Sequence, residues 1–387
     1  YTLRVRMVAH VLCRYGHIAE VMGRNLWAAE VFNCQFPDTG NMDVLHMFGT
    51  SDQQLTWLEP LKRGMIRSAF VMTEPGVASS DATSISATIR RDDTGGGYIV
   101  NGLKWWISGA GDPRCKLFLV LGRSAAPGDT SLPRHRQHSI IIVPRDAAGV
   151  VVEEAMSVYG FDDAPHGHFV VRFDDVRVPA SNMIAGEGRG FEIAQARLGP
   201  GRVHHCMRTI GLMERALELM LNRVTSRHAR GHPMSEFGAI RKDIADMRIA
   251  IDAARELTVA AARAIDAVGS KEARKQIACI KVHVPLVAQR VIDMAIQAHG
   301  GVGMSHQFPL AAWWARTRSV RFMDGPVRVR CCTVFDATGL TRACCLLLRP
   351  NANGLLVMMC AALSGRSSPR DHCEIGAACA LPTAGWR

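Results

Sequence analysis

The spacing of apolar residues changes twice along this chain, and that change restricts the fold more than any other feature of its 387 residues. From 8 to 61, apolar positions such as Val8, Leu12, Ala19, Val21 and Met22 form a helical stripe, and a Pro37-Asp38-Thr39-Gly40 break precedes a second helix opening at Asn41. Between 67 and 178 the period falls to two, in seven short runs at 68–72, 85–90, 98–107, 116–122, 139–143, 149–156 and 167–173. It returns to three and four across 191–227, 235–268 and 271–299, where Ile210, Leu212, Met213, Ala216, Leu217 and Met220 mark one buried stripe. Strands set between helical blocks predict an α+β chain: a partial helical domain at 1–66, a compact β-barrel at 67–185 and a helical bundle at 186–326. Gly95-Gly96-Gly97 turns one hairpin, and the Pro-, Gly- and Arg-rich stretch 124–138 reads as a surface loop.

Past Asp324-Gly325-Pro326 the helical period stops and Gly, Cys, Pro and Ser rise, so 327–387 reads as an atypical, disordered tail resembling out-of-frame translation. The other end, opening on Tyr1 without an apolar leader, reads as cut within a domain. A net charge of +11 invites a nucleic-acid reading, but seven Arg against three acids in 328–387 supply part of it and the rest is scattered. No nucleic-acid partner is therefore expected. Seven of the twelve cysteines lie in that same tail without the paired spacing of a zinc site, so no metal is expected, and the isolated remainder suits a reducing compartment. The longest apolar run, 354–363, holds ten residues, short of the roughly 18 that a spanning helix needs.

Two segments carry the chemistry. Met72-Thr73-Glu74-Pro75-Gly76 closes a strand with a Pro-Gly turn, which frees backbone amides to donate to a phosphate or a ring. Asn101-Gly102-Leu103-Lys104-Trp105-Trp106-Ile107-Ser108-Gly109 ends a hairpin, and strand alternation puts the Trp106 indole and the Ser108 hydroxyl on one face. An ordinary half-buried hairpin is the competing reading of those residues alone. Gly186-x-Gly188-x-Gly190 and Gly300-Gly301-x-Gly303 sit in no βαβ unit, which disfavours a nicotinamide dinucleotide site. Further marks are Leu198-Gly199-Pro200-Gly201-Arg202, the run 227–237, Gln297 to Gly303, the Phe32-Asn33-Cys34-Gln35 stretch continuing to Met42, and Asp324-Gly325-Pro326. With these, 32–326 resembles the acyl-CoA dehydrogenase family, in particular the subgroup typified by its members ten and eleven.

The resemblance implies FAD-dependent α,β-dehydrogenation of medium to very long acyl-CoA thioesters, as in fatty-acid β-oxidation. A carboxylate takes the α-proton while the β-hydrogen leaves as hydride. Because that proton is a very weak acid, donors must meet the thioester oxygen in a dry site. In the family these are a flavin ribityl hydroxyl and the backbone N–H of the catalytic acid. The base falls on Asp324, where most of the family has Glu, with Arg202 beside it and Gly325 at the substrate. Phe70, Met72 and Thr73 are implied along the flavin ring, Trp106 over it and Ser108 near its N5, with Ser80 at a CoA phosphate. Arg227 is implied on the FAD pyrophosphate, and Gln297, Gly300 and Gly301 at the FAD of a neighbouring subunit, hence a homodimer or homotetramer. The residues alone leave Asp324 readable as a turn acid and Arg202 as a bundle salt bridge. Electron-transfer flavoprotein is the implied acceptor, with oxygen the other candidate. The alternative function is a non-catalytic subunit, or a DNA-associated relative like the alkylation-response branch. The family suggests a mitochondrial or peroxisomal location in a eukaryote and a cytoplasmic one in a bacterium. Arg230 and His232 depart from the family's usual Phe and Lys, and the segment after Pro326 departs from its usual continuation.

Overall fold

The computed structural model describes residues 11–336, with 127 and 130 excepted. Helix α1 (Val11–Gly23) and helix α2 (Asp38–Phe48) open the described chain. Ala19 and Met22 of α1 pack into the helical core, as their spacing predicts, whereas Val21 is 69% exposed. Two residues along a helix is more than half a turn, so Val21 cannot share the face of Ala19.

All seven expected strands form: β1 (Arg67–Val71), β2 (Thr88–Arg91), β3 (Gly97–Ser108), β4 (Cys115–Arg123), β5 (His138–Pro144), β6 (Val150–Met156) and β7 (His168–Pro179). β1 and β2 both run parallel to β4, while β4–β5, β2–β3, β3–β7 and β7–β6 are antiparallel. Among the described residues no ladder joins β5 to β6, so the expected barrel is an open, curled sheet. Its curl is visible in the packing. Val71, Ile89, Val100, Phe118, Ile141 and Phe173, drawn from six strands, share one core with the half-buried Val152 of β6.

Alternation along β4 serves two cores at once. Phe118 and Val120 face the inside of the curl, while Leu117, Leu119 and Leu121 meet Val44 and Leu45 of α2 and Ile193 on the far side. Each fully buried Leu or Ile contributes about 1.5–3 kcal/mol, so this second core fixes the sheet to α2 and to the helical segment that carries Ile193.

The bundle consists of α3 (Gly190–Ser226), α4 (Gly238–Glu272), α5 (Arg274–His299) and α6 (Leu310–Val320). The whole stripe from Ile210 to Met220 is buried in its core. Near the end of α4 the helical path breaks at Gly269, φ 85°, a left-handed conformation that a Cβ would strain. The Gly-rich entry to α3 serves packing: Gly188 N–H donates to Ser139 Oγ at 2.9 Å, and a Cβ on Gly190 would overlap the His138–Ser139 backbone.

One expectation fails immediately after Pro326. Residues Val327–Asp336 form a further helix, α7, with Val327 buried and its N–H donating to Arg321 O at 3.0 Å. Proline pre-sets φ for helix entry, so Pro326 starts a turn that the missing apolar period did not announce. The rest of the expected tail, 337–387, lies outside the described residues.

Candidate active site

A cavity of ≈ 970 Å³ opens between the end of β1, the end of β3, α3 and the turn that follows α6. It brings together Phe70, Met72, Thr73, Ser80, Trp106, Ser108, Asp324 and Gly325, residues scattered over more than 250 positions of sequence. Arg202 stands behind the cavity wall, its Nε donating to Asp324 O at 3.1 Å. Arg227, Gln297, Gly300 and Gly301 do not line it. They are exposed at one end of the bundle, where Arg223, one turn before Arg227, donates from Nη2 to His299 O at 3.5 Å.

The end of β3 is not the regular strand that simple alternation assumes. Its register against β7 slips between Lys104 and Ile107, and Trp106 takes φ 54°, an unusual left-handed conformation for a bulky residue. The bulge aims Trp105, Trp106 and Ser108 all at the cavity. Trp106 N–H donates to Met156 Sδ at 3.3 Å, which holds the indole 38% exposed over the opening. Among the described residues Trp105 Nε1 is buried without an acceptor, and the N–H of the half-buried Thr73 has none either. Buried donors left unpaired are costly unless a ligand satisfies them. Flat apolar walls with stranded donors fit an aromatic group rich in acceptor atoms, which is what the isoalloxazine of FAD is.

Asp324 ends the turn after α6 in a left-handed conformation, φ 53°, followed by Gly325 at φ 101°. A side chain at Gly325 would collide with the Arg330 guanidinium, which itself donates to Asp324 O at 3.3 Å. On α3, Gly201 lets Phe36 and the Asp324 carboxylate approach the helix closely. Burial would push the Asp324 carboxyl upward, but the close His205 imidazole and the charges of Lys281 and Arg197 hold it well below the usual carboxylate range. His205 Nε2 lies 3.2 Å from Asp324 Oδ2, off the hydrogen-bonding direction, so that oxygen keeps no donor. The Asp324 N–H likewise has no acceptor among the described residues. His205, Lys281 and Arg197 escaped the sequence reading because helical spacing marks them only as positions on a buried stripe.

Three further groups cluster beside Ser108, two of them, His166 and His168, lining the cavity. Asp163 Oδ2 is 2.9 Å from His168 Nε2 and 3.5 Å from His166 Nε2, while Arg316 Nη1 is 3.3 Å from Asp163 Oδ1. Ligand atoms of Asp163, His166 and His168 lie within 4.8 Å of one another, the spacing of a cation site. The Arg316 guanidinium already occupies the carboxylate, however, and both His168 nitrogens are engaged, since Nδ1 lies 3.0 Å from Ser108 Oγ. Gln35 Nε2 donates to His166 Nδ1 at 2.9 Å.

These buried imidazoles make stability pH-dependent. Burial pulls His166 down to about 4 and His204, on α3, down to about 3. Below about pH 6.5 the unfolded chain binds a proton at each ring that the folded chain refuses, so stability falls as pH drops through that window. The slope is up to ~1.4 kcal/mol per pH unit for each group. Urea midpoints are expected to be lower at pH 5 than at pH 7, with a smaller difference in His166→Gln; an identical difference in the variant would remove His166 from this account.

Known proteins resemble this chain in sequence and in fold. The family model for the acyl-CoA dehydrogenase middle domain matches residues 69–176, and that for the acyl-CoA dehydrogenase C-terminal domain matches 188–338. Mouse acyl-CoA dehydrogenase family member 11 is 55% identical over 316 residues, covering 81% of this chain and 40% of its own. The chain thus spans well under half of that relative. FadE2 of Mycobacterium tuberculosis is 51% identical over 316 residues, which cover 81% of this chain and 76% of that protein. Among solved structures, a Mycobacterium abscessus chain superposes with a TM-score of 0.81 at 49% identity, covering 86% of this chain and 79% of the other. Butyryl-CoA dehydrogenase from Megasphaera elsdenii superposes at 0.72 with 26% identity, covering 83% and 80%. A curled sheet and helical bundle enclosing this cavity, both domain models and half-identical relatives lead to one conclusion: the chain belongs to the acyl-CoA dehydrogenase family.

Proposed function

We propose that this chain catalyses α,β-dehydrogenation of acyl-CoA thioesters of medium to very long chain length, as a step of fatty-acid β-oxidation, with electron-transfer flavoprotein as acceptor. The observation that carries the reading is Asp324: a carboxylate oxygen and a backbone N–H of one residue, both without hydrogen-bond partners among the described residues, at the wall of the cavity. Bound FAD supplies the hydride acceptor. Phe70, Met72, Thr73, Trp106 and Ser108 would hold its ring, and Arg227 with the Gln297–Gly301 segment would hold the rest between two copies of the chain. Asp324 removes the α-proton. Its own N–H donates to the thioester oxygen where negative charge develops, so one turn supplies both base and oxyanion donor. Arg202 and Arg330 fix the carbonyl of that turn and set the direction of the carboxylate. An acyl chain filling the cavity expels water, which strengthens burial and raises the carboxylate's basicity when it is needed.

The test is the visible spectrum of the purified chain before and after anaerobic addition of a long-chain acyl-CoA. Yellow absorbance that bleaches supports the reading. A protein that stays colourless with added FAD would overturn it. Oxygen uptake measured against dye reduction in the same sample separates an oxidase from a dehydrogenase.

A further inference from the structure

Ser108 and His168 are cross-strand neighbours in the β3–β7 ladder, and Asp163 precedes β7 in the loop that curls back beneath it. The three make a continuous hydrogen-bonded line: Asp163 Oδ2 to His168 Nε2 at 2.9 Å, then His168 Nδ1 to Ser108 Oγ at 3.0 Å. Ser108 and His168 both line the cavity, and Ser108 is the one proposed to meet the flavin ring. The polarity of this line follows from its far end. An ionised carboxylate can only accept, so Nε2 of His168 carries a proton. Burial opposes the charge on Asp163, but its contacts with His166, His168 and Arg316 hold the carboxyl far below its usual range. Arg316 at 3.3 Å already balances that charge, so the buried cluster calls for no second cation at His168. In the neutral ring Nδ1 then has a bare lone pair, and Ser108 must donate its only hydrogen to it. The T-shaped contact of the His168 ring with Trp106, 5.4 Å between centroids, keeps the imidazole from turning away.

We infer that Asp163 and His168 are positioning residues that make Ser108 an acceptor toward the cavity. This rests on the reading that Ser108 faces flavin N5. Oxidised N5 has a lone pair and no hydrogen, whereas transfer of a hydride leaves N5 bearing a hydrogen. A serine locked as acceptor therefore has no bond to give the oxidised ring and one to receive from the reduced ring. The line Asp163–His168–Ser108 favours the reduced flavin and raises its potential, which draws the hydride from the substrate. A serine free to donate would do the reverse.

The two senses differ in sign, and that makes the test sharp. In Ser108→Ala the midpoint potential of the bound flavin is expected to fall by about 30 mV, the two-electron equivalent of the tenfold change in equilibrium that one hydrogen bond produces. Asp163→Asn lets an amide N–H face His168, reverses its tautomer and frees the Ser108 hydrogen for N5. The potential then falls in the single variant, and adding Ser108→Ala raises it. A rise in Ser108→Ala alone, or no shift, overturns the inference whether or not the Asn variant folds. The ¹⁵N spectrum of histidine-labelled protein reads the same polarity without flavin: Nδ1 of His168, assigned by loss of its signals in His168→Asn, should lack a proton. A protonated Nδ1 would also overturn it. Failure to bind FAD at all would instead strike the proposed function, and the nitrogen spectrum would still decide the hydrogen-bond polarity.

Discussion

Asp324→Asn is expected to slow reduction of the bound flavin by an acyl-CoA by about 10²–10⁴-fold, the usual contribution of a positioned general base, while flavin content stays unchanged. The amide matches the carboxylate in shape, and the contacts that hold the turn, from Arg202 and Arg330, go to the backbone carbonyl and not to the side chain. What the variant loses is the negative charge and the lone pair that accepts a proton. The oxyanion donor, being the backbone N–H, survives, so substrate affinity is expected to change far less than the rate. Stopped-flow bleaching at saturating substrate separates the two. A variant that bleaches within tenfold of the parent rate would place the base elsewhere. The low carboxyl pKa has a sign as well: the group stays ionised down to below the usual carboxylate range, so kcat/KM is expected to show no loss from Asp324 between pH 8 and pH 6.

Lys104→Met is expected to cost about 3–5 kcal/mol of folding stability, the range seen when one partner of a buried ion pair is removed. Lys104 is completely buried in β3, and its three ammonium hydrogens have three acceptors: Glu74 Oε1 at 2.8 Å, Met72 O at 2.9 Å and Leu121 O at 2.7 Å. Glu74 in turn accepts from Ser86 N–H at 2.9 Å, Ser86 Oγ at 2.6 Å and Ala87 N–H at 2.9 Å. Burial opposes the charge on Glu74, but Lys104 and the Ser86 donors hold it ionised. Burial likewise pulls Lys104 down to about 8, leaving it charged at neutral pH. Methionine fills a similar volume but strands that carboxylate in the interior. A urea melt of the flavin-free protein measures the cost, and a loss below about 1 kcal/mol would show that the pair is not what ties the turn to the sheet. Glu74→Gln combined with Lys104→Met should recover much of the loss, because no uncompensated charge remains. Since Glu74 follows Met72 and Thr73, the single variant is also expected to weaken flavin retention.

Periodicity made the architecture legible because a buried face must repeat at the pitch of its own element. The seven strands, the three long bundle helices and the break near Gly269 all follow from that local rule. It failed where a helix was set by something other than an apolar stripe, as in α7, whose start depends on Pro326 and on one buried valine.

The candidate site divides in the same way. Trp106, Ser108, Thr73 and Asp324 stood out because their motifs carry unusual chemistry within a few residues of sequence. Lys104 lies in one of those motifs and was passed over, since a lysine in an alternating strand reads as solvent-facing until a carboxylate from another segment meets it. His168, Asp163 and His205 were invisible for the same reason.

Sequence by itself determined which segments form sheet or helix, which family the chain resembles and where the proposed base stands. Tertiary structure alone decided the environment of that base, the bulge that turns Trp105 and Trp106 together toward the cavity, and the line from Asp163 through His168 to Ser108. Secondary structure is a matter of neighbours three or four residues apart, whereas charge, tautomer and desolvation depend on groups brought together from distant parts of the chain.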